Sequence, residues 1–175
     1  IDIMNIRKLL ITIALCMALI IPQTGCGANE PVSREFFALD TVCTITVYGM
    51  DEEKAQNIIT EAAELCTYYE NMFSRTISGS DVYKINNAYG QPVEVSDDTV
   101  EVIEKGIRLG ELSGGKFDIT IGAVSSLWDF KSENPQVPDD TAIQAALKTV
   151  DYTQIRIDGN EISLGIEGAQ LDLGG

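Results

Sequence analysis

The sequence predicts an α+β fold in which a mixed, largely antiparallel sheet is flanked by amphipathic helices. Apolar residues recur at spacings of three and four in several segments, which is the period of a helix. Between these segments lie short runs rich in Val, Ile, Thr and Phe, and two of them flank the turn sequence Asp158-Gly159-Asn160 as in a β-hairpin. Helices therefore alternate irregularly with hairpin-linked strands, which favours the α+β class without internal repeats.

The first half of the chain begins with extended structure. Residues 35–48 are rich in strand-forming residues and are interrupted at Asp40-Thr41, which predicts one bent strand or two short ones. A long amphipathic helix is predicted over residues 51–73, followed by a small, polar loop over residues 74–80.

Two further helices are predicted from their caps. Ser80-Asp81 starts a short helix that ends at Asn86-Asn87. Ser96 starts a second amphipathic helix that stops at Gly114-Gly115, and residues 92–95 before it are extended.

The last third is predicted to hold four extended segments, residues 117–121, 153–157, 161–164 and 170–173. Two helices are predicted among them, residues 122–130 and 139–149.

The N-terminus is typical of a bacterial lipoprotein. Basic residues precede an apolar stretch over residues 9–21, which falls short of the roughly 20 residues that span a bilayer. Gln23-Thr24-Gly25-Cys26 resembles a lipobox. We therefore expect a signal peptide and lipobox over residues 1–26 with a lipid on Cys26, a flexible tether over residues 27–34, and a lipid-anchored protein at the extracytoplasmic face of the membrane. A plain secretory signal or a simple membrane anchor is the alternative.

Composition excludes several classes of function. A net charge of −15 argues against a nucleic-acid surface, and the absence of histidine excludes a Ser-His-Asp or Cys-His arrangement and a zinc site with histidine ligands within this chain. Carboxylates, hydroxyls, backbone amides and an oxygen-binding metal such as Mg²⁺ remain. Cys43 and Cys66 are interpreted as buried free thiols, with a disulfide as the alternative.

Two segments suggest a ligand pocket. In Ser113-Gly114-Gly115-Lys116-Phe117-Asp118, Phe117 would pack on a planar ring and Asp118 would accept a hydrogen bond from a ring or ribose, although a helix C-cap followed by a strand explains the same residues. In Leu171-Asp172-Leu173-Gly174-Gly175, a buried carboxylate needs a hydrogen-bond donor, a cation or a ligand, and a strand running into a turn is the alternative.

The hydroxyl-rich loop over residues 73–81 is a third candidate. Its successive amides could bind phosphate with Arg75 as the counter-charge, or it is a solvated connection in which Ser80 caps the next helix.

Taken in order, these motifs resemble the ApbE family of FAD:protein FMN transferases. The residues that carry the resemblance are Leu39-Asp40-Thr41, Phe73-Ser74 with Ser80 and Asn86, Ser113-Gly114-Gly115 with Phe117-Asp118 and Gly122, Leu127-Trp128 with Phe130, and Leu171-Asp172-Leu173-Gly174-Gly175. Residues 35–175 are therefore identified as the N-terminal part of a flavin transferase domain whose C-terminal part is missing.

The resemblance implies an enzyme that binds FAD, cleaves its diphosphate with Mg²⁺ and attaches FMN through a phosphoester to a Thr or Ser of a target protein, of the electron-transfer or sodium-pump type. The flavin contacts it implies are Leu39, Thr76, Ile77, Ser78, Lys116, Phe117, Asp118 and Asp172. The backbone carbonyl of Gly175 would be a Mg²⁺ ligand, and no catalytic base is assigned. An FAD diphosphatase that releases FMN and AMP, or a non-catalytic flavin- or nucleotide-binding lipoprotein, is the alternative.

Overall fold

The computed structural model describes residues 30–128 and 132–174. The strands are β1 (Val32–Ala38), β2 (Thr41–Val47), β3 (Val93–Glu94), β4 (Ile155–Asp158) and β5 (Glu161–Leu164). The α-helices are α1 (Glu52–Phe73), α2 (Asp81–Asn86), α3 (Asp97–Ser113), α4 (Gly122–Ser125) and α5 (Asp140–Leu147), and a 3-10 helix spans Tyr152–Gln154. The α+β class is confirmed. In the part of the chain covered by these ranges, no helix has both the length and the apolar character needed to cross a bilayer.

Strands β1 and β2 form an antiparallel hairpin. Ala38 pairs with Thr41, and the two residues between them, Leu39 and Asp40, have φ angles of 54° and 56°. Positive φ at both central residues is the geometry that lets a two-residue turn follow the twist of a hairpin. The interruption predicted at Asp40-Thr41 is thus a turn between two short strands. Strand β1 begins at Val32, so it includes three residues that the sequence placed in the tether.

The second sheet has the strand order β3-β5-β4, and both pairings are antiparallel. Asp158 pairs with Glu161 across a two-residue turn, which confirms the predicted hairpin. Within the described residues, parallel pairing is limited to an isolated bridge between Ile121 and Gln170.

Side-chain caps fix where the helices begin. Each cap oxygen accepts a hydrogen bond from the backbone N–H three residues later, as N-caps do, and the four residues that do so are Asp51, Ser80, Ser96 and Asp139. Gly114, in the left-handed conformation with a φ of 64°, ends α3. The predicted boundaries of these helices therefore hold to within one or two residues.

Two predicted strands are wrong. Residues 117–121 form a turn, because the Asp118 carboxylate accepts hydrogen bonds from the backbone and hydroxyl of Thr120 and bends the chain. Residues 170–173 lack a strand ladder. An isolated bridge between Gln170 and Ile121, the Asn86 side chain and backbone bonds to neighbouring turn residues hold them instead. Helix α4 is also shorter than the predicted helix over residues 122–130, of which residues 129 and 130 lie outside the described part.

The main core lies between the three-stranded sheet, α2 and α3. Its fully buried members include Val82, Ile103, Ile162 and Leu171. Two glycines of α3 allow close packing here, because an added Cβ would meet Ile119 at 2.7 Å from Gly106 and the Tyr152 ring at 2.8 Å from Gly110.

Candidate functional site

A cavity of about 750 Å³ lies between α3, α5, the turn after α3 and the segment over residues 172–174. Its volume is in the range of small-molecule sites. Its apolar wall includes Val102, Leu109, Phe117, Ile119, Ile121, Leu147, Val150 and Leu173, and its polar side chains are Lys105, Lys116, Asp118 and Asp172. An apolar cleft with a few converging polar groups can hold a flat, partly charged molecule.

Four of the residues predicted from the resemblance line this cavity, namely Lys116, Phe117, Asp118 and Asp172. They come from two segments more than 50 positions apart in the sequence. Phe117 is 45% exposed and lines the cavity, so part of this aromatic residue is accessible to a ligand. The two segments that the sequence singled out separately therefore meet at one site.

Asp118 fixes the turn on one side of the cavity. One carboxylate oxygen accepts hydrogen bonds from the backbone N–H of Thr120 at 2.8 Å and from its hydroxyl at 2.6 Å. The other accepts from the N–H of Tyr152 at 3.0 Å, and the Thr120 hydroxyl accepts from the N–H of Asp151. Both oxygens thus have partners within the chain, and these hydrogen bonds fix the turn that forms this wall of the cavity.

The Asp172 carboxylate is held by an ion pair and by hydrogen bonds from a hydroxyl and from a backbone amide. Its Oδ2 accepts a hydrogen bond from the Ser125 hydroxyl at 2.6 Å and lies 3.6 Å from Nε of Arg75. Its Oδ1 accepts from the N–H of Gly174 at 3.0 Å. The structure therefore contains the hydrogen-bond donors and the cation that a partly buried carboxylate between two leucines requires.

The backbone around Asp172 is fixed by neighbours that are distant in sequence. The Asn86 amide donates to the Leu171 carbonyl at 2.9 Å and accepts from the Leu171 N–H at 2.7 Å. The N–H of Asp172 donates to the Ile119 carbonyl, and the N–H of Gly122 donates to the Gln170 carbonyl. Side chains and turn residues thus replace the strand ladder that the sequence predicted here.

The other predicted contacts do not line the cavity. Thr76, Ile77 and Ser78 lie in the loop after α1, where Thr76 and Ser78 are exposed. Their loop is joined to the cavity by the neighbouring Arg75, through its ion pair with Asp172. Leu39 lies in the turn of the β1–β2 hairpin, and the structure does not bring it to the cavity.

Two predicted positions, Gly175 and Cys26, lie outside the described residues. Over residues 30–128 and 132–174, no three His, Cys, Asp or Glu side chains converge as a metal site. This part of the chain therefore does not by itself offer Mg²⁺ a set of carboxylate ligands. Cys43 and Cys66 are free thiols, as predicted, but they are half-buried.

Sequence reasoning missed the wall that α3 contributes. Val102 and Leu109 line the cavity seven positions apart on that helix, and each directly precedes a buried residue, Ile103 and Gly110. This second stripe at helical spacing was the available signal. Ser125, whose hydroxyl contacts Asp172, gave no signal because its partner lies 47 residues away.

Comparison with known proteins assigns the family. The ApbE family pattern matches residues 39–175. A FAD:protein FMN transferase of Treponema pallidum (strain Nichols) is 27% identical over 162 residues, which are 86% of this chain and 45% of that protein.

Two solved structures are similar in fold. The crystal structure of the ApbE protein of Thermotoga maritima has a TM-score of 0.75 at 30% identity and covers 83% of this chain and 48% of that one. The flavin transferase ApbE of Vibrio cholerae has a TM-score of 0.70 at 26% identity, with the same two coverages. The chain spans about half the length of these relatives. Sequence and fold agree, and the chain belongs to the ApbE family.

Proposed function

We propose that this chain is part of a FAD:protein FMN transferase, an enzyme that moves FMN from FAD to a hydroxyl of a target protein. The observation that carries the proposal is the convergence of Lys116, Phe117, Asp118 and Asp172 on one cavity. These are residues for which the family resemblance implied flavin contact, and relatives of the chain bear the name of this activity.

The reaction we propose is a phosphoryl transfer. The Thr or Ser oxygen of the target forms a bond to the phosphorus on the FMN side of FAD. The bond between that phosphorus and the bridging oxygen breaks, AMP leaves with the bridging oxygen, and the hydroxyl proton passes to solvent. Such a reaction depends mainly on positioning and charge neutralisation.

The cavity suits the positioning part of this task. Phe117 and the apolar wall offer an aromatic ring a surface to pack on, while Lys116 brings positive charge to an anionic ligand. Mg²⁺ would neutralise the diphosphate, and on the family resemblance it would bind the Gly175 carbonyl together with ligands from elsewhere in the full-length protein.

The setting of the enzyme is also part of the proposal. We infer lipid attachment through Cys26 at the extracytoplasmic face of a bacterial membrane, and a target subunit of the electron-transfer or sodium-pump type. The support is the lipobox-like Gln23-Thr24-Gly25-Cys26 and the apolar stretch before it.

The test uses the full-length protein, FAD, Mg²⁺ and a target domain that carries an acceptor Thr. We expect covalent flavin fluorescence on the target band in a denaturing gel, one AMP released per label, and loss of both on chelation. A target with Thr→Val at the acceptor is the control. AMP release without a label would assign an FAD diphosphatase instead, and FAD binding without either product would assign a flavin-binding protein.

A further inference from the structure

We propose that Arg75 is a positioning residue for the flavin nucleotide, acting through Asp172. The inference rests on the proposed function, because it assumes that Asp172 contacts FAD. Arg75 does not line the cavity, and the sequence offered it only as a counter-charge for phosphate in its own loop.

The guanidinium of Arg75 joins two segments that are distant in sequence. Its Nε lies 3.6 Å from Oδ2 of Asp172, and its Nη1 donates to the Ser126 hydroxyl at 2.5 Å. The Ser126 hydroxyl in turn donates to the Gly122 carbonyl at 2.7 Å. One side chain therefore holds the end of α4 and the cavity carboxylate together.

The pair is partly shielded from water. The side chains of Arg75 and Asp172 are 30% and 18% exposed, whereas those of the Lys105–Glu101 pair on α3 are 67% and 63% exposed. Exposed pairs contribute little, and the interaction strengthens as water is excluded. Removing Arg75 therefore affects Asp172 more than the removal of a surface cation would.

The hydrogen bonds leave Asp172 with capacity for a ligand. A carboxylate offers about four acceptor sites. The Ser125 hydroxyl and the N–H of Gly174 donate hydrogen bonds to Asp172, one to each oxygen, and Arg75 lies 3.6 Å from Oδ2 as an ion-pair partner, beyond hydrogen-bond distance. Both oxygens are thus held in place, and acceptor capacity is left for a donor on the bound nucleotide.

The negative charge of the protein and of its ligand is a second reason to expect a cation beside Asp172. The chain carries a net charge of −15, and a dinucleotide diphosphate is also anionic. An uncompensated carboxylate in the cavity would repel that ligand, and Arg75 offsets the charge of Asp172 at a distance of 3.6 Å.

A double-mutant cycle on the full-length protein tests the inference, with FAD affinity measured by flavin fluorescence at a fixed Mg²⁺ concentration. We expect Arg75→Met and Asp172→Asn each to weaken FAD binding about tenfold. The double variant should bind FAD no more than about twofold more weakly than either single variant, because the effects of substituting two residues in direct contact are not additive. Arg75→Lys should retain most of the affinity, and Arg156→Met, at an exposed arginine on β4, should bind as wild type does.

The possible results distinguish a failure of the role assigned to Arg75 from a failure of the proposed function. Additive losses from Arg75→Met and Asp172→Asn, or an unchanged affinity in Arg75→Met, would overturn the positioning role while leaving the proposed function standing. No FAD binding by the wild-type protein would overturn the proposed function itself. If Arg75→Met does not fold, Ser126→Ala decides: a threefold weaker affinity is expected, and an unchanged one contradicts the inference.

Discussion

The β1–β2 hairpin with α1, residues 32–73, differs in construction from the cavity region, residues 115–126 and 170–174. The first is formed by sequence neighbours, and among its large apolar side chains Phe37 and Val42 are 68% and 65% exposed. The cavity region is held by bonds between residues far apart, such as the Asn86 amide on the Leu171 backbone. The structure of the first region therefore follows from local sequence patterns, whereas the structure of the second depends on close packing between distant segments.

The largest effect is expected from an added methyl group in the cavity region. A Cβ on Gly122 would lie 2.6 Å from the Gln170 carbonyl oxygen and 2.8 Å from that of Leu171. Both obstacles are backbone atoms, which cannot rotate away. We expect Gly122→Ala to lower the free energy of unfolding of the full-length protein by about 3 kcal/mol, measured by urea denaturation.

The matched control lies at the end of the hairpin. A Cβ on Gly49 would meet nothing within 4 Å, but its φ of 73° is unfavourable for alanine. Gly49→Ala should therefore cost only about 1 kcal/mol. Equal losses at Gly122 and Gly49 would contradict the contrast between the two regions.

A medium effect is expected at Asp81, which joins the start of α2 to the start of α3. Burial acts to raise the pKa of the Asp81 carboxyl, but hydrogen bonds from the Ser96 backbone, the Thr99 hydroxyl and the Lys84 ammonium outweigh it, so the pKa lies below its ordinary value. Because the folded-state pKa is lowered, the stabilisation is present above the unfolded pKa of about 3.9 and is lost as the pH falls through the folded value.

The corresponding experiment compares wild type with Asp81→Asn. At pH 7 the variant should be less stable by about 2 kcal/mol, since it loses hydrogen bonds to a charged acceptor. As the pH is lowered from 5 to 3, the free energy of unfolding of the wild type should fall more steeply than that of the variant. Parallel pH profiles would show that this carboxylate does not contribute through its charge.

The same contrast explains which features the sequence could predict. Helices α1 and α3 follow from periodic apolar residues and from the caps at Asp51 and Ser96, all of which are local signals. Residues 170–173 were predicted as a strand, but Asn86, 85 residues away from Leu171, supplies the partners that a neighbouring strand would supply. The spacing of residues along the chain does not reveal that contact.

The candidate site divides in the same way. The motifs around Phe117 and Asp172 could be recognised as separate segments, and they do meet at the cavity. The contacts that join them to the rest of the chain, from Arg75 and Ser125, could not be recognised, because a serine or an arginine acquires such a role only through its position in the fold.

The smallest effect is expected on the exposed face of the hairpin, at Phe37. This side chain pairs with Val42 across the strands and is 68% exposed, so Phe37→Ser should change the free energy of unfolding by no more than about 0.5 kcal/mol. Ile59→Ala, at a fully buried position on α1, is the control within the same region and should cost about 2 kcal/mol. Urea denaturation of the full-length protein gives both values. A loss above about 1 kcal/mol for Phe37→Ser would mean that another part of the full-length protein covers this face, and the hairpin would then also depend on contacts between distant segments.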